Sequence, residues 1–235
     1  MMHAVVLAGG RGTRLAQYVP ELPKPMAPVA GRPFLEHVLD QLVDCGVGSI
    51  VLSVGYLGHI IEAHFGDQYH GAMLRYAREE TPLGTGGAIV RALQGAGDAP
   101  VMVVNGDTLL KAEYREIETW YRRFPVDFAM VLRRVADVNR FGAAIVENCG
   151  EGEYVSGFGE KSETGPGLIN AGVYILRPPV FANYGLAGVF SLETDLLQRH
   201  CATLRPRAYI TDAYFIDIGI PADLDRARVD LALSA

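Results

Sequence analysis

Three glycines, Gly9, Gly10 and Gly12, directly follow a short apolar run that ends in Leu7-Ala8, and Arg11, Thr13, Arg14 and Leu15 stand among and after them. Glycine lets a backbone turn sharply and come close to a ligand. Amide N–H groups exposed in such a turn can cradle phosphate oxygens. Arg11 and Arg14 add charge, and a guanidinium suits two-point contact with phosphate. Downstream, Pro23-Lys24-Pro25 holds a lysine in a stiff segment and so presents its ammonium at low entropic cost. The loop lacks the GK[ST] ending of a Walker loop, and Leu15 stands where a dinucleotide fingerprint needs its third glycine. A glycine turn alone is equally a tight structural turn with solvated arginines. The full string, LAGGRGTRL followed by PKPM, is what favours an anion-binding loop.

Two aspartates could work beside that loop. Asn105-Gly106-Asp107 closes the apolar run Val101 to Val104, and Asp217 lies in Phe215-Ile216-Asp217-Ile218-Gly219. A carboxylate at the carboxyl end of a buried strand faces the crevice where doubly wound sheets bind ligands. Each aspartate alone reads as a turn or cap residue. The two together make a Mg²⁺ site, since magnesium takes one or two carboxylates plus substrate phosphates. A third string, Glu79 to Ala88 (EETPLGTGGA), is glycine-rich and opens a helix with Thr85 as a cap. Arg140-Phe141-Gly142 allows a glycine backbone to approach a sugar, and Asn170-Ala171-Gly172 puts polar and flexible residues inside an apolar strand, where they need a reason. Glu160-Lys161 sets a hydroxyl acceptor beside a cation, and is equally a solvated turn pair. The six histidines show no ligand spacing, and Trp120 with its neighbours reads as helix packing.

These groups need a scaffold. His3 to Ala8, Ile50 to Val54 and Val101 to Val104 read as strands buried on both faces. Between the first two, Pro33 suits a helix's first turn, Phe34, Leu35, Val38, Leu39, Leu42 and Val43 form its apolar stripe, and Gly46 ends it. Further helices are predicted over Leu57 to Phe65 and Thr85 to Gln94. This β-α-β-α order gives a mostly parallel, Rossmann-like doubly wound sheet flanked by helices, of class α/β. Strands over Asp127 to Arg133, Gly142 to Glu147, Tyr154 to Phe158 and Leu168 to Leu176 crowd together, which predicts a small mixed or antiparallel extension. A last strand, Tyr214 to Asp217, precedes a helix begun by Pro221, with Leu224, Ala227 and Leu231 on its buried face. No repeat or linker divides the chain, so a single domain over residues 1–235 is expected.

Bulk properties narrow the partners. A net charge of −6 argues against a nucleic-acid binder, but not against anionic small substrates, which need only a few local cations. Cys45, Cys149 and Cys201 are far apart, so neither a zinc nor a redox motif is indicated and a reducing compartment is expected. The first apolar run is too short for a signal peptide and no stretch reaches membrane-spanning length, so a cytoplasmic location without membrane partners is expected. A homodimer is compatible with a lone domain of this kind, though no residue marks one.

The strings Gly9 to Leu15 and Pro23 to Pro25 resemble the G-G-x-G-T-R-L and P-K-P signatures of the sugar-1-phosphate nucleotidyltransferase family, and the likeness runs over almost the whole chain. The resemblance implies a nucleotidyltransferase-type fold and an enzyme that joins an NTP to a sugar 1-phosphate, releasing pyrophosphate and a nucleotide sugar. It implies that Leu7, Gly9, Gly10, Gly12 and Thr13 hold the nucleotide's phosphates and that Gly84, Thr85 and Gly86 pack on its base, with backbone groups reading the base edge. Arg14 and Lys24 would be the catalytic cations, and Asp107 and Asp217 would hold Mg²⁺. Asn105, Gly142, Glu160, Lys161, Asn170 and Gly172 would take the sugar and its phosphate. Within the family, PLGTGGA, LINAG, FSLE and the terminal AYITD…FIDIGIP are similar to a short subgroup that uses GTP and a manno-heptose 1-phosphate for cell-surface polysaccharides. Thr194 departs from it, standing where a lysine often follows Phe-Ser-x-Glu. The base loop resembles uridylyltransferases as well, so hexose or N-acetylmuramate 1-phosphate uridylyl transfer stays open. A nucleotide-sugar sensor on the same scaffold would have no need of both Asp107 and Asp217. A dinucleotide-dependent oxidoreductase would need the missing glycine at position 15.

Overall fold

The computed structural model describes residues 2–10, 12, 15, 18–150, 152–160 and 163–233. The chain begins with β1 (His3–Leu7), a 3₁₀ turn (Lys24–Met26), β2 (Pro28–Val29), β3 (Arg32–Pro33) and α1 (Phe34–Asp44). Next come β4 (Ser49–Val54), α2 (Gly58–Phe65), β5 (Gln68–Tyr69), β6 (Ala72–Arg78) and α3 (Gly84–Ala92). The middle holds β7 (Val101–Asn105), β8 (Thr108–Lys111), α4 (Tyr114–Tyr121), β9 (Phe128–Val135), β10 (Ala144–Asn148), β11 (Glu153–Phe158) and β12 (Gly167–Leu176). The remainder is α5 (Pro179–Asn183), a π-helical segment (Leu192–Gln198), α6 (Arg199–Leu204), β13 (Arg207–Thr211), β14 (Tyr214–Asp217) and α7 (Pro221–Ala232).

Among the described residues ten strands form one sheet in the order β10-β11-β13-β9-β12-β7-β1-β4-β6-β5. β6, β4, β1 and β7 are mutually parallel, the doubly wound half that the apolar runs predict. β12 lies antiparallel between β7 and β9. The expected extension is therefore the far flank of the same sheet, with a separate antiparallel pair, β14 and β8, beside it. Strand order runs outward from β1 through β4 to β6, then reverses across β1 to β7. That reversal is the topological switch point, the place where open α/β sheets leave a crevice at their carboxyl ends. Leu7 and Asn105 are opposite each other there.

Side chains alternate across the sheet and so build two cores. Ala4 and Val6 of β1, with Met102 and Val104 of β7, join a cluster covered by α1, α2, α4 and α7. Val5, Val101 and Val103 join the other, under α3, α5, the π-helical segment and α6. Phe34, Leu35, Val38, Leu39 and Leu42 on α1 are all buried, as their spacing predicts. Each contributes roughly 1.5–3 kcal/mol by leaving water. α1 ends as expected: Gly46 has φ +82°, and its N–H bonds to Val43 O. All three cysteines are free, with Cys149 exposed. Among the described residues no helix is long and apolar enough to cross a membrane.

Some elements differ from expectation. Gly142 was expected inside a strand, but its φ of +81° keeps it in the turn before β10. α3 stops at Ala92 rather than Gln94. β6 was not anticipated, because its outward Arg75 and Arg78 break the apolar run; the strand pairs with little but β4 and the short β5, so half of it faces water.

Candidate active site

The backbone beyond β1 and β7 makes the floor of a cleft of about 520 Å³. Leu7, Gly9, Gly10, Asn105 and Asp107 line one side of it, and Gly55, Tyr56, Glu79, Gly84 and Thr85 the other. The floor is backbone packed on backbone. A Cβ on Gly55 would stand 2.8 Å from Gly9 O, and one on Gly9 2.7 Å from Glu79 Oε1. Only glycine fits at position 55, where the clash is with backbone; at position 9 a larger residue would have to displace the Glu79 carboxylate. Gly106 is held the same way, its N–H bonded to Leu7 O at 2.9 Å.

A smaller pocket of about 210 Å³ adjoins the cleft through Leu7, Gly10 and Asp107 and adds Gly12, Lys24 and Gly219. Here the two sequence-predicted aspartates meet. Lys24 Nζ lies 2.5 Å from Asp107 Oδ2 and 3.5 Å from Asp217 Oδ1. Three elements arrange this. The 3₁₀ turn fixes Lys24, β7 delivers Asp107, and the β14–β8 pair sets Asp217 opposite Thr108, next to Asp107. Gly219 N–H bonds to Asp217 Oδ1 at 2.6 Å. Burial, together with repulsion from Asp107, holds the Asp217 carboxyl above the usual range despite the pull of Lys24 and the Gly219 amide. Two carboxylates that converge on one cation are a donor set that magnesium accepts, with phosphate oxygens and water completing its shell. Among the described residues no cluster of three or more His, Cys, Asp or Glu gathers as a closed metal cage.

A third pocket, of about 220 Å³, holds Gly142 and Asn170 from the predicted sugar side, with Phe141, Phe158, Glu193 and Gln198. Asn170 is partly committed internally: Nδ2 donates to Tyr174 OH at 2.7 Å, and Oδ1 accepts from Gly172 N at 2.9 Å. Burial raises the Tyr174 phenol, which keeps it a neutral hydroxyl. Gly172, at φ +69° in a register shift of β12, packs on Asn105; a Cβ there would stand 2.8 Å from Asn105 Nδ2. Glu160 is exposed and does not line this pocket. Arg11, Thr13, Arg14 and Lys161 lie outside the described residues.

Two of the base loop's amides have partners inside the protein: those of Gly86 and Gly87 bond Phe190 O at 3.1 and 3.3 Å. Gly86 is buried, and a Cβ on it would collide with the Phe190 ring. Gly84 and Thr85 line the cleft; Gly86 does not. The glycine at 86 serves packing. Gly86→Ala is expected to destabilise the fold by about 1–3 kcal/mol, despite alanine's better helix propensity. Denaturant unfolding measures this, and adding Phe190→Leu should recover part of the loss; an unchanged midpoint in Gly86→Ala would refute the packing account.

Two side chains that line the cleft, Glu79 and Tyr56, were given no role by sequence. Glu79 Oε2 accepts from Leu83 N at 2.9 Å and Oε1 from Ser53 Oγ at 3.3 Å. Tyr56, half exposed, stands at the rim. Glu79 sits in a string that was singled out, but nothing local distinguishes it from Glu80.

A switch-point crevice with a glycine floor, and a lysine between two carboxylates at its foot, defines an α/β protein furnished for a phosphorylated ligand. The model of the nucleotidyl transferase family matches residues 3–233, and the chain belongs to that family. It is 39% identical to the D-glycero-alpha-D-manno-heptose 1-phosphate guanylyltransferase of Aneurinibacillus thermoaerophilus, with 98% of each chain covered. Identity to the protein of the same name from Campylobacter jejuni is 36%, over 94% of this chain and 96% of that one. The crystal structure of HddC from Yersinia pseudotuberculosis complexed with GMP-PN superposes with a TM-score of 0.84 at 35% identity, covering 98% of this chain and 100% of that one.

Proposed function

We propose that this chain acts as one nucleotidyltransferase domain that transfers GMP from GTP to D-glycero-α-D-manno-heptose 1-phosphate and releases pyrophosphate. The observation that carries the reaction is the meeting of Lys24, Asp107 and Asp217 where the nucleotide-sized cleft meets its smaller neighbour. The substrates follow from the relatives named above. An oxygen of the sugar phosphate attacks the α-phosphorus in line, the new P–O bond forms, and the bond from the α-phosphorus to the pyrophosphate oxygen breaks. The acceptor oxygen is already an anion, so no strong base is required. The difficulty is the mutual repulsion of two polyanions. Lys24, the amides of Gly9, Gly10 and Gly12, and the guanidinium of Arg14 offset it and stabilise charge on the transferring group. Lys161, with Gly142, Asn170 and Gly172, holds the acceptor so that the reactants meet in a near-attack arrangement. Asp107 and Asp217 hold a Mg²⁺ ion, which supplies further neutralisation of phosphate charge when bound.

Glu79 favours guanine over uracil. Its carboxylate only accepts hydrogen bonds. Guanine offers N1–H and the 2-amino group side by side, whereas uracil's single N3–H is flanked by two carbonyl oxygens that a carboxylate repels. In Glu79→Gln, kcat/KM for GTP is expected to fall roughly 10- to 100-fold relative to that for UTP, since a two-point base contact is worth about 1–3 kcal/mol. The amide keeps an acceptor for Leu83 N, so the loop stays in place. Equal losses with both nucleotides would remove Glu79 from base reading.

Pyrophosphate release from each NTP with a panel of sugar 1-phosphates and Mg²⁺ tests the whole assignment. Release with GTP and the manno-heptose 1-phosphate alone is expected. Release only with UTP and a hexose or N-acetylmuramate 1-phosphate would replace the substrates and keep the chemistry. No release from folded protein that binds nucleotide would leave a sensor.

A further inference from the structure

The third pocket has the chemistry of a polyol site. Phe141, Phe158 and Leu197 give it an apolar floor, while Glu193, Asn170 and Gln198 supply polar groups at its edge. Glu193 stands in the first turn of the π-helical segment, in the string Phe190-Ser191-Leu192-Glu193, and has no role in the transfer described above. Its Oε2 accepts from Thr85 Oγ1 at 2.6 Å and from Ser191 Oγ at 3.0 Å. Thr85 lines the other pocket, the nucleotide cleft. Thr85 Oγ1 also accepts from Leu192 N at 2.9 Å, so this one hydroxyl is bonded twice to the segment that carries Glu193. The wall between the two pockets is stiff. Gly86 and Gly87 N–H bond to Phe190 O, Phe190 N–H bonds to Leu83 O, and a Cβ on Gly84 or Gly86 would strike Phe190.

We propose that Glu193 is a sugar-specificity residue of the acceptor pocket, accepting hydrogen bonds from the acceptor's ring hydroxyls, and that Thr85 positions it from the nucleotide side. This rests on the proposed transfer to a sugar 1-phosphate. A carboxylate anchored through one oxygen presents the other to a ligand at fixed orientation, and a bond from a hydroxyl to a charged acceptor is worth more than a neutral one. The anchor comes from a residue at the nucleotide cleft. A substitution that touches the donor pocket is therefore felt by the acceptor.

Steady-state kinetics on Glu193→Gln, Thr85→Val and Thr85→Ser test this, with KM for each substrate measured separately. The acceptor is whichever sugar 1-phosphate the wild-type enzyme uses. Glu193→Gln is expected to raise the acceptor KM roughly tenfold or more, with the NTP KM changed less than about twofold. Thr85→Val, although it borders the nucleotide, is expected to raise the acceptor KM in the same sense, and Thr85→Ser, which keeps the hydroxyl, restores it. Calorimetric titration of the sugar 1-phosphate into each protein reads the same contrast without turnover. Thermal melts identify any variant that has lost its fold, and the serine variant then carries the comparison. An acceptor affinity unchanged in Glu193→Gln, or a Thr85→Val defect confined to NTP, overturns the proposal while leaving the reaction standing. A wild-type protein that binds the sugar phosphate but releases no pyrophosphate overturns the reaction, and the titrations then still decide on Glu193.

Discussion

Asp107→Asn is expected to lower turnover by about 100- to 1,000-fold and to leave the melting temperature nearly unchanged. The asymmetry follows from where the residue sits. Asp107 ends the approach from β7 and is one-third exposed, so its pair with Lys24 is partly screened by water and adds little to folding. Asparagine keeps the shape and an oxygen for Lys24 to bond. What it loses is the negative charge, and a neutral amide is a poor partner for magnesium. The loss should appear mainly in kcat at saturating substrates, because the charge matters where phosphate charge is being rearranged. It should deepen as Mg²⁺ is lowered. Wild-type turnover in this variant at limiting Mg²⁺ would remove Asp107 from the metal site.

How much of this site the sequence disclosed depends on how local its causes are. Gly9, Gly10 and Lys24 stand in short strings whose chemistry is nearly self-contained: glycines after a buried strand, a lysine between prolines. Asp107 and Asp217 were legible as strand-end carboxylates, and they meet because the β14–β8 pair sets Asp217 opposite Thr108, next to Asp107. Glu79 and the link between Thr85 and Glu193 show the opposite case. Glu79 faces the cleft because β6 runs beside β4 and brings it to Ser53, and β6 itself was hidden by its outward arginines. Thr85 and Glu193 are 108 residues apart, and no spacing rule reaches that far. Gly86 is ambiguous for a related reason. A glycine that admits a ligand and a glycine that admits a phenylalanine ring are the same letter, and only the packed Phe190 separates them.

Lys24→Met should cost about as much activity as Asp107→Asn, again roughly 100- to 1,000-fold, but with a second effect that the aspartate variant lacks. The Lys24 side chain is only 12% exposed and is shared by two carboxylates. Methionine fills much the same volume and leaves Asp107 and Asp217 facing each other without a cation. Two like charges brought together in a partly buried site repel each other once the cation is gone, so stability falls as well. The same repulsion makes the site a better trap for a divalent ion. Added Mg²⁺ is expected to raise the melting temperature of Lys24→Met more than that of the wild type, because an ion that binds only the folded state stabilises it by mass action. In Lys24→Met/Asp107→Asn the extra Mg²⁺ response should vanish. Lys24→Arg should not restore turnover. A forked, planar guanidinium does not reproduce a point ammonium set 2.5 Å from one carboxylate and 3.5 Å from another. Full activity in Lys24→Arg would mean that charge alone suffices there. An identical Mg²⁺ response in Lys24→Met and the wild type would mean that the two aspartates do not act together on the ion.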